Sequence, residues 1–323
     1  MMARIALHLL VLCTLLVSAA LASPAALSSL PLDRRAEEFT DVDGSAVFRQ
    51  CTQRYNTSRM NPLPQQGYFN PNNGTNGSML TIWLDGTPGE PINAIISSNS
   101  SAQVLCPEGF LRYATSINFG VSCLGNVNGS NQYANLGDGF GIREQGNYGG
   151  GNGVLRWNYG DPTFGTCKES IEGDNHFRWF LQNGTAAFSG AIFIAASMEE
   201  SAALGHMIQR DGYNRGRDYI VGNATMNRTT SYKGFVWKTE VEWIPAGVLL
   251  NATSEGINHP EIALPGQPVQ DGRVALLTVT QLQEPTNSTT QQTSSAPSSV
   301  TSIFTSTTVL AALLLPAALA LLM

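Results

Sequence analysis

Positive charge is scarce in this chain: 18 Lys and Arg stand against 24 Asp and Glu among 323 residues, for a formal net charge of −6. The cations are scattered rather than clustered, so the chain lacks the electrostatic footprint of a nucleic-acid binder. Cys-x-x-Cys is absent, which removes the common zinc-ribbon spacing. Neither Gly-x-Ser-x-Gly nor Gly-x4-Gly-Lys-Ser/Thr occurs, so neither a hydrolase elbow nor a phosphate loop is expected. No internal repeat is found. Histidine numbers only four, and one of these, His8, lies in the leading apolar run. The other three, His176, His206 and His259, sit in separate segments, so no metal site and no cofactor is expected.

What is present is concentrated first at the ends. Arg4 precedes a mainly apolar run, Ile5 to Ala22, that closes on the small-residue site Ala20-Leu21-Ala22. This is the pattern of a secretory signal peptide over 1–22. Residues 23–35 then read as a polar leader or pro-segment ending in the dibasic pair Arg34-Arg35. At the other end, Val309 to Met323 carries no charge, is interrupted by Pro316 and has no basic flank, which suits a spanning helix poorly. Small residues at Ser294-Ser295-Ala296 and the spacer Pro297 to Thr308 precede it, the layout of a glycosylphosphatidylinositol (GPI) attachment signal over 295–323, with Ser294 as the attachment residue. Between 286 and 308, 15 of 23 residues are Ser or Thr, a composition that cannot bury a core. Residues 286–294 therefore read as a stalk. The expected partner is the membrane through the lipid anchor, with cell-wall polysaccharide as a second candidate and no nucleic acid.

Ten Asn-x-Ser/Thr sequons begin at Asn56, Asn73, Asn76, Asn99, Asn128, Asn183, Asn223, Asn227, Asn251 and Asn287. Together they mark a glycosylated ectodomain with many exposed turns. Once Cys13 leaves with the signal peptide, Cys51, Cys106, Cys123 and Cys167 remain, an even set that predicts two disulfides in an oxidising compartment. Three connectivities are open. Cys106–Cys123 with Cys51–Cys167 is preferred as the local closure, and Cys123–Cys167 with Cys51–Cys106 competes.

Residues 36–285 read as one globular domain of the α+β class, a mostly antiparallel sheet with two or more short helices. The β-branched run Pro91–Ser97 predicts a buried strand. Cys106–Asn118, with Pro107 at its start and Phe110, Leu111, Ala114 and Ile117 on one face, predicts a helix, and Phe119–Leu124 returns to strand. Residues 125–160 are rich in Gly and Asn and read as turns joining short strands. Two apolar runs, His176–Leu181 and Gly190–Ser197, read as a hairpin. Asp211–Met226 predicts a helix capped by Asp211, carrying Tyr213, Arg217, Ile220, Val221 and Ala224. Strict alternation through Phe235, Trp237, Thr239, Val241 and Trp243 marks a half-buried strand, and Arg273–Leu282 a last one.

The chemistry-bearing residues gather in the middle: Asp174-Asn175-His176-Phe177-Arg178-Trp179, then the small apolar strand Ser189–Ala195, then His206-Met207-Ile208, Asp211 and Arg217-Asp218-Tyr219-Ile220-Val221. On a strand, His176 and Arg178 point to one face. A histidine can transfer a proton near neutral pH and an arginine can hold an anionic oxygen pair. His176, Arg178, His206 and Asp218 are thus the catalytic candidates for a hydrolase or transferase acting on an anionic or lipid-linked substrate. The competing structural role has Arg178 paired with Asp218, clamping helix to sheet. His259 lies in a polar loop. Trp157, Trp179, Trp237 and Trp243 could form a sugar-stacking surface, although sheet packing is their commoner use.

In order and spacing these blocks, with Glu90–Ser97 and the helix around Gly109-Phe110, resemble the C-terminal domain family of LssY-type proteins over residues 88–222. Asn175 and Met207 stand where that family has histidines, and one extra residue lies between Asp211 and Arg217. The resemblance implies a fold more than an activity. The two ends and the Ser/Thr stalk resemble those of secreted, GPI-anchored fungal surface proteins. Three functions stay open: a noncatalytic surface glycoprotein, the hydrolase or transferase, and a polysaccharide-binding module.

Overall fold

A computed structural model of the protein describes residues 64–121, 123, 131–146 and 153–285. The signal peptide, the Arg34-Arg35 leader, Cys51, Asn56, Asn128, Asn287, the stalk, Ser294 and the anchor signal lie outside the described residues.

The described chain is α+β, as its patterning predicts, but its main sheet is mixed. Strands β1 (Leu80–Ile82), β2 (Pro88–Pro91), β5 (Tyr133–Ala134) and β6 (Arg143–Glu144) form a small antiparallel sheet in the order β2-β1-β5-β6. The large sheet uses β3 (Ala94–Ile96), β4 (Phe119–Val121), β7 (Val154–Trp157), β8 (Asp174–Leu181), β9 (Ile192–Glu199), β10 (Thr230–Tyr232), β11 (Phe235–Ile244) and β12 (Val274–Gln283). Their order is β10-β11-β12-β3-β9-β8-β7-β4. Only the β12–β3 pair is parallel, Ala275 opposite Ala94 through Leu277 opposite Ile96. β8 and β9 form the expected antiparallel hairpin, in register from Asp174↔Glu199 to Leu181↔Ile192.

Side-chain alternation divides the large sheet into two cores. Phe177 and Trp179 of β8, with Ile194 and Ala196 of β9, face helix α1 (Pro107–Ser116) and helix α3 (Gly212–Thr225). Ile220 and Ala224 of α3 enter this core as predicted. On α1 it is Tyr113, not Leu111, that is fully buried, donating to or accepting from Thr239 Oγ1 at 2.8 Å. Asn93 Nδ2 donates to the Ala196 and Tyr213 carbonyls, both at 2.9 Å, and Asn175 Nδ2 donates to the Gly216 carbonyl at 2.9 Å. These bonds hold α3 against the strands, and Gly216 makes the approach possible. A Cβ there would stand 2.6 Å from Ser197 Cα. Asp211 occupies the N-cap position of α3, but its side chain makes no capping bond; it accepts instead from Asn214 Nδ2 at 2.6 Å.

The opposite face begins apolar, with Phe180, Phe193 and Ala195 packed beneath Met79, Ala134 and Leu136 of the small-sheet layer. Along β8 the same row then turns polar, at Arg178 and His176. Helix α2 (Gly165–Glu172), which hydrophobic periodicity does not announce, is started by Asp161 Oδ1, accepting from the Thr163 and Phe164 amides at 2.8 and 3.1 Å.

The preferred disulfide pairing is overturned. Cys123 joins Cys167, with Cα atoms 4.4 Å apart, so neither Cys106–Cys123 nor Cys51–Cys167 exists. This is the one disulfide wholly among the described residues; Cys106 is itself disulfide-bonded, to a cysteine outside them. The local closure loses because Cys167 sits on α2, a helix the spacing argument did not include. Among the described residues no helix is long and apolar enough to cross a membrane.

Candidate functional site

Register builds the site. Arg156 on β7 lies opposite His176 on β8, which lies opposite Ser197 on β9. One step along, Asp174 pairs with Glu199, and one step the other way stands Arg178. These side chains project from the large sheet towards α2, β2 and the turn 200–207. That turn folds back on β9 through Glu200 N–H to the Met207 carbonyl (2.8 Å) and Gln209 N–H to the Met198 carbonyl (2.9 Å). It carries His206 in the left-handed region, at φ 54°.

The anion clamp is already occupied. Arg178 Nη1 donates to Glu90 Oε1 at 2.6 Å, with both side chains buried, 8% and 3% exposed. Glu90 also accepts from Gln132 Nε2 at 2.8 Å and from Ser197 Oγ at 3.2 Å. Arg178 Nη1 lies 3.0 Å from His176 Nε2. A guanidinium only donates, so Nε2 accepts and His176 is the neutral tautomer protonated at Nδ1. That Nδ1 is buried without a hydrogen-bond partner. Burial, followed by the charges of Arg178, Arg156 and the nearby His206, drives the His176 pKa well below its ordinary value.

A second pair sits beside the first. Arg156 Nη1 donates to Glu169 Oε2 at 2.8 Å and reaches Glu199 Oε2 only at 3.8 Å. Burial raises Glu169 to about 7 against the opposing pull of Arg156. Burial and then the Glu169 charge raise Glu199 to about 8. Glu199 also lies between the two histidines, 3.5 Å from His176 Nε2 and 3.4 Å from His206 Nδ1. Donor atoms of Glu169, His176 and Glu199 lie within 4.8 Å of one another, so these three residues could hold a metal ion.

The catalytic candidates therefore separate. His176, Arg178 and His206 converge as the strand geometry implies, but His176 and Arg178 are buried, and only His206 reaches solvent. Asp218 is elsewhere: it accepts from Arg217, and the expected Arg178–Asp218 clamp is not formed. The helix-to-sheet clamp is instead Arg217, bidentate to Asp271 at 2.6 and 2.9 Å. His259 pairs with Glu261 at 3.0 Å on a separate 3-10 turn. Trp157, Trp179 and Trp237 are buried, which removes the tryptophan surface, and Trp243 lies beneath Arg217 and Arg273.

Glu90, Arg156, Glu169, Ser197 and Glu199 were not singled out by sequence reasoning. Alternation through Val154–Trp157 could have flagged Arg156, which interrupts an apolar strand. Glu169 had no comparable signal. Comparison with known proteins gives no match: no family model, curated protein or solved structure aligns significantly with this chain.

Proposed function

We propose that this chain is an N-glycosylated surface glycoprotein, held by a GPI anchor on the extracellular face of the plasma membrane or passed to the wall, whose domain serves display or binding rather than catalysis. The observation that carries the proposal is the exposure of the sequons. Seven of the ten lie among the described residues and none is buried: Asn73, Asn76, Asn99, Asn227 and Asn251 are exposed, Asn183 and Asn223 half-buried. The burial of His176 and Arg178, with the guanidinium committed to Glu90, favours the noncatalytic form over a hydrolase or transferase. An LssY-type domain over residues 88–222 belongs to the same proposal as its structural frame.

The test uses intact cells expressing the full chain. Phosphatidylinositol-specific phospholipase should release the protein, and peptide N-glycosidase should lower its apparent mass by several glycans. Mass spectrometry should find the C-terminal peptide ending at or beside Ser294. An intact peptide through Met323, or a mass unmoved by the glycosidase, would refute the proposal.

A further inference from the structure

The polar cluster holds more donor atoms than the protein's own hydrogen bonds use. Glu169 is 0% exposed, its Oε2 engaged by Arg156, and its Oε1 has no hydrogen-bond partner. Buried polar atoms are ordinarily satisfied, so a fully buried carboxylate oxygen left open points to a missing cationic ligand.

Spacing agrees. His176 Nε2 and Glu199 Oε1 are 3.5 Å apart, too long for a good hydrogen bond. Two ligands each about 2.0–2.1 Å from a tetrahedral ion stand roughly 3.3–3.4 Å from one another, so the pair already lies near that edge. Charge agrees as well. Three carboxylates, Glu90, Glu169 and Glu199, face two guanidiniums, Arg156 and Arg178. Arg156 bonds Glu169 at 2.8 Å and Arg178 bonds Glu90 at 2.6 Å, while towards Glu199 the nearer guanidinium, Arg156, approaches only to 3.8 Å.

We propose that Glu169, His176 and Glu199 form a divalent-metal site, with His206 at its solvent side; His176 enters through Nε2, whose single lone pair turns from Arg178 to the ion while Arg178 keeps its bond to Glu90. Arg156, on the outer oxygen of Glu169, orients that carboxylate so that Oε1 faces the ion, and His206, 3.4 Å from Glu199 Oε2, positions the second one. Two carboxylates and an imidazole suit a first-row ion such as Zn²⁺ or Mn²⁺. Ca²⁺ is disfavoured, because it takes six to eight oxygen ligands. His206 is 33% exposed and Glu199 12%, so this edge of the cluster is the one nearest solvent. The Cys123–Cys167 disulfide fixes α2, the helix that brings Glu169 over the sheet.

The test uses the full chain from a eukaryotic secretory host, released from the membrane, stripped with EDTA and titrated separately with Zn²⁺, Mn²⁺ and Co²⁺. About one equivalent should bind, the thermal midpoint should rise, and Co²⁺ should give the intense visible bands of a low-coordinate site. His206→Ala, a surface change that should fold, should weaken binding at least about tenfold. Glu199→Gln and Glu169→Gln should abolish stoichiometric binding, while circular dichroism reports whether each is folded. No stoichiometric binding of any of the three ions to the wild type overturns the proposal. So does binding that is unchanged in His206→Ala, or in either folded glutamine variant, since the ion would then sit elsewhere.

Discussion

Replacing Arg178 with methionine tests whether this residue clamps a substrate anion or supports the fold. The substitution keeps the length of the stem and removes, among the described residues, the only cation within hydrogen-bond distance of Glu90, which is 3% exposed and bonded at 2.6 Å. Breaking a buried ion pair from one side typically costs about 3–5 kcal/mol, because a charge is left buried without its partner. Gln132 and Ser197 still donate to Glu90, which places the expected loss near the lower end, about 3 kcal/mol. For a domain of this size that is a fall of roughly 6–12 °C in thermal midpoint. Glu90→Gln in the same background removes the orphaned charge, so the double variant should lie within about 1 kcal/mol of wild type, about 2 kcal/mol more stable than the Arg178 single variant. Urea unfolding followed by tryptophan fluorescence measures both, and Trp179 lies in the same strand as Arg178. A single variant within about 0.5 kcal/mol of wild type, or a double variant that loses the sum of both singles, would refute the structural role and return Arg178 to a ligand-facing one.

Three further outcomes follow from the same geometry. Burial alone would raise Asp271, but hydrogen bonds from Arg217 and the Arg273 amide, with both charges, hold it below its ordinary value. A carboxylate with a depressed folded pKa stabilises above the unfolded value and loses that contribution as pH falls through the folded one. Asp271→Asn should therefore be less stable than wild type at pH 6, with the gap closing below about pH 4 in thermal melts; a constant gap refutes the linkage. Removing the Cys123–Cys167 bridge, which spans a sequence separation of 44, should cost about 4 kcal/mol from loop entropy, read as a lower urea midpoint; a loss below about 1 kcal/mol would say that the unfolded chain is not restrained by it. Gly216→Ala should destabilise by at least about 2 kcal/mol, since its Cβ meets Ser197 backbone. Gly222→Ala, in the same helix with nothing within 4 Å, should stabilise by about 0.5–1 kcal/mol, and equal effects at the two positions would show that close packing is not what requires glycine at 216.

Local pattern carried much of the fold. Alternation from Phe235 to Trp243 marks β11, whose buried residues include Phe235, Trp237 and Thr239 while Lys238, Glu240 and Glu242 are exposed. The Pro107 start and the apolar face around Phe110 mark α1, and the hairpin of β8 and β9 is legible in two apolar runs split by Gln182-Asn183-Gly184. The same period-two rule places His176 and Arg178 on one face before any tertiary contact is known. Helix α2 escaped because it is short, polar and started by a side chain from outside the helix, Asp161.

By itself, then, the sequence determined most of the strands, the two amphipathic helices and which side chains share a face, because these follow from backbone periods that repeat within a few residues. Only the tertiary structure decided what those faces meet. Glu90 reaches Arg178 across 88 residues, the parallel β12–β3 pair joins the last strand to the first of its sheet, and Cys167 rather than Cys106 meets Cys123. Glu169 arrives over His176 from a separate helix. Contacts of that kind depend on the register between distant segments and on where a connecting helix settles, and no local period in the chain encodes either.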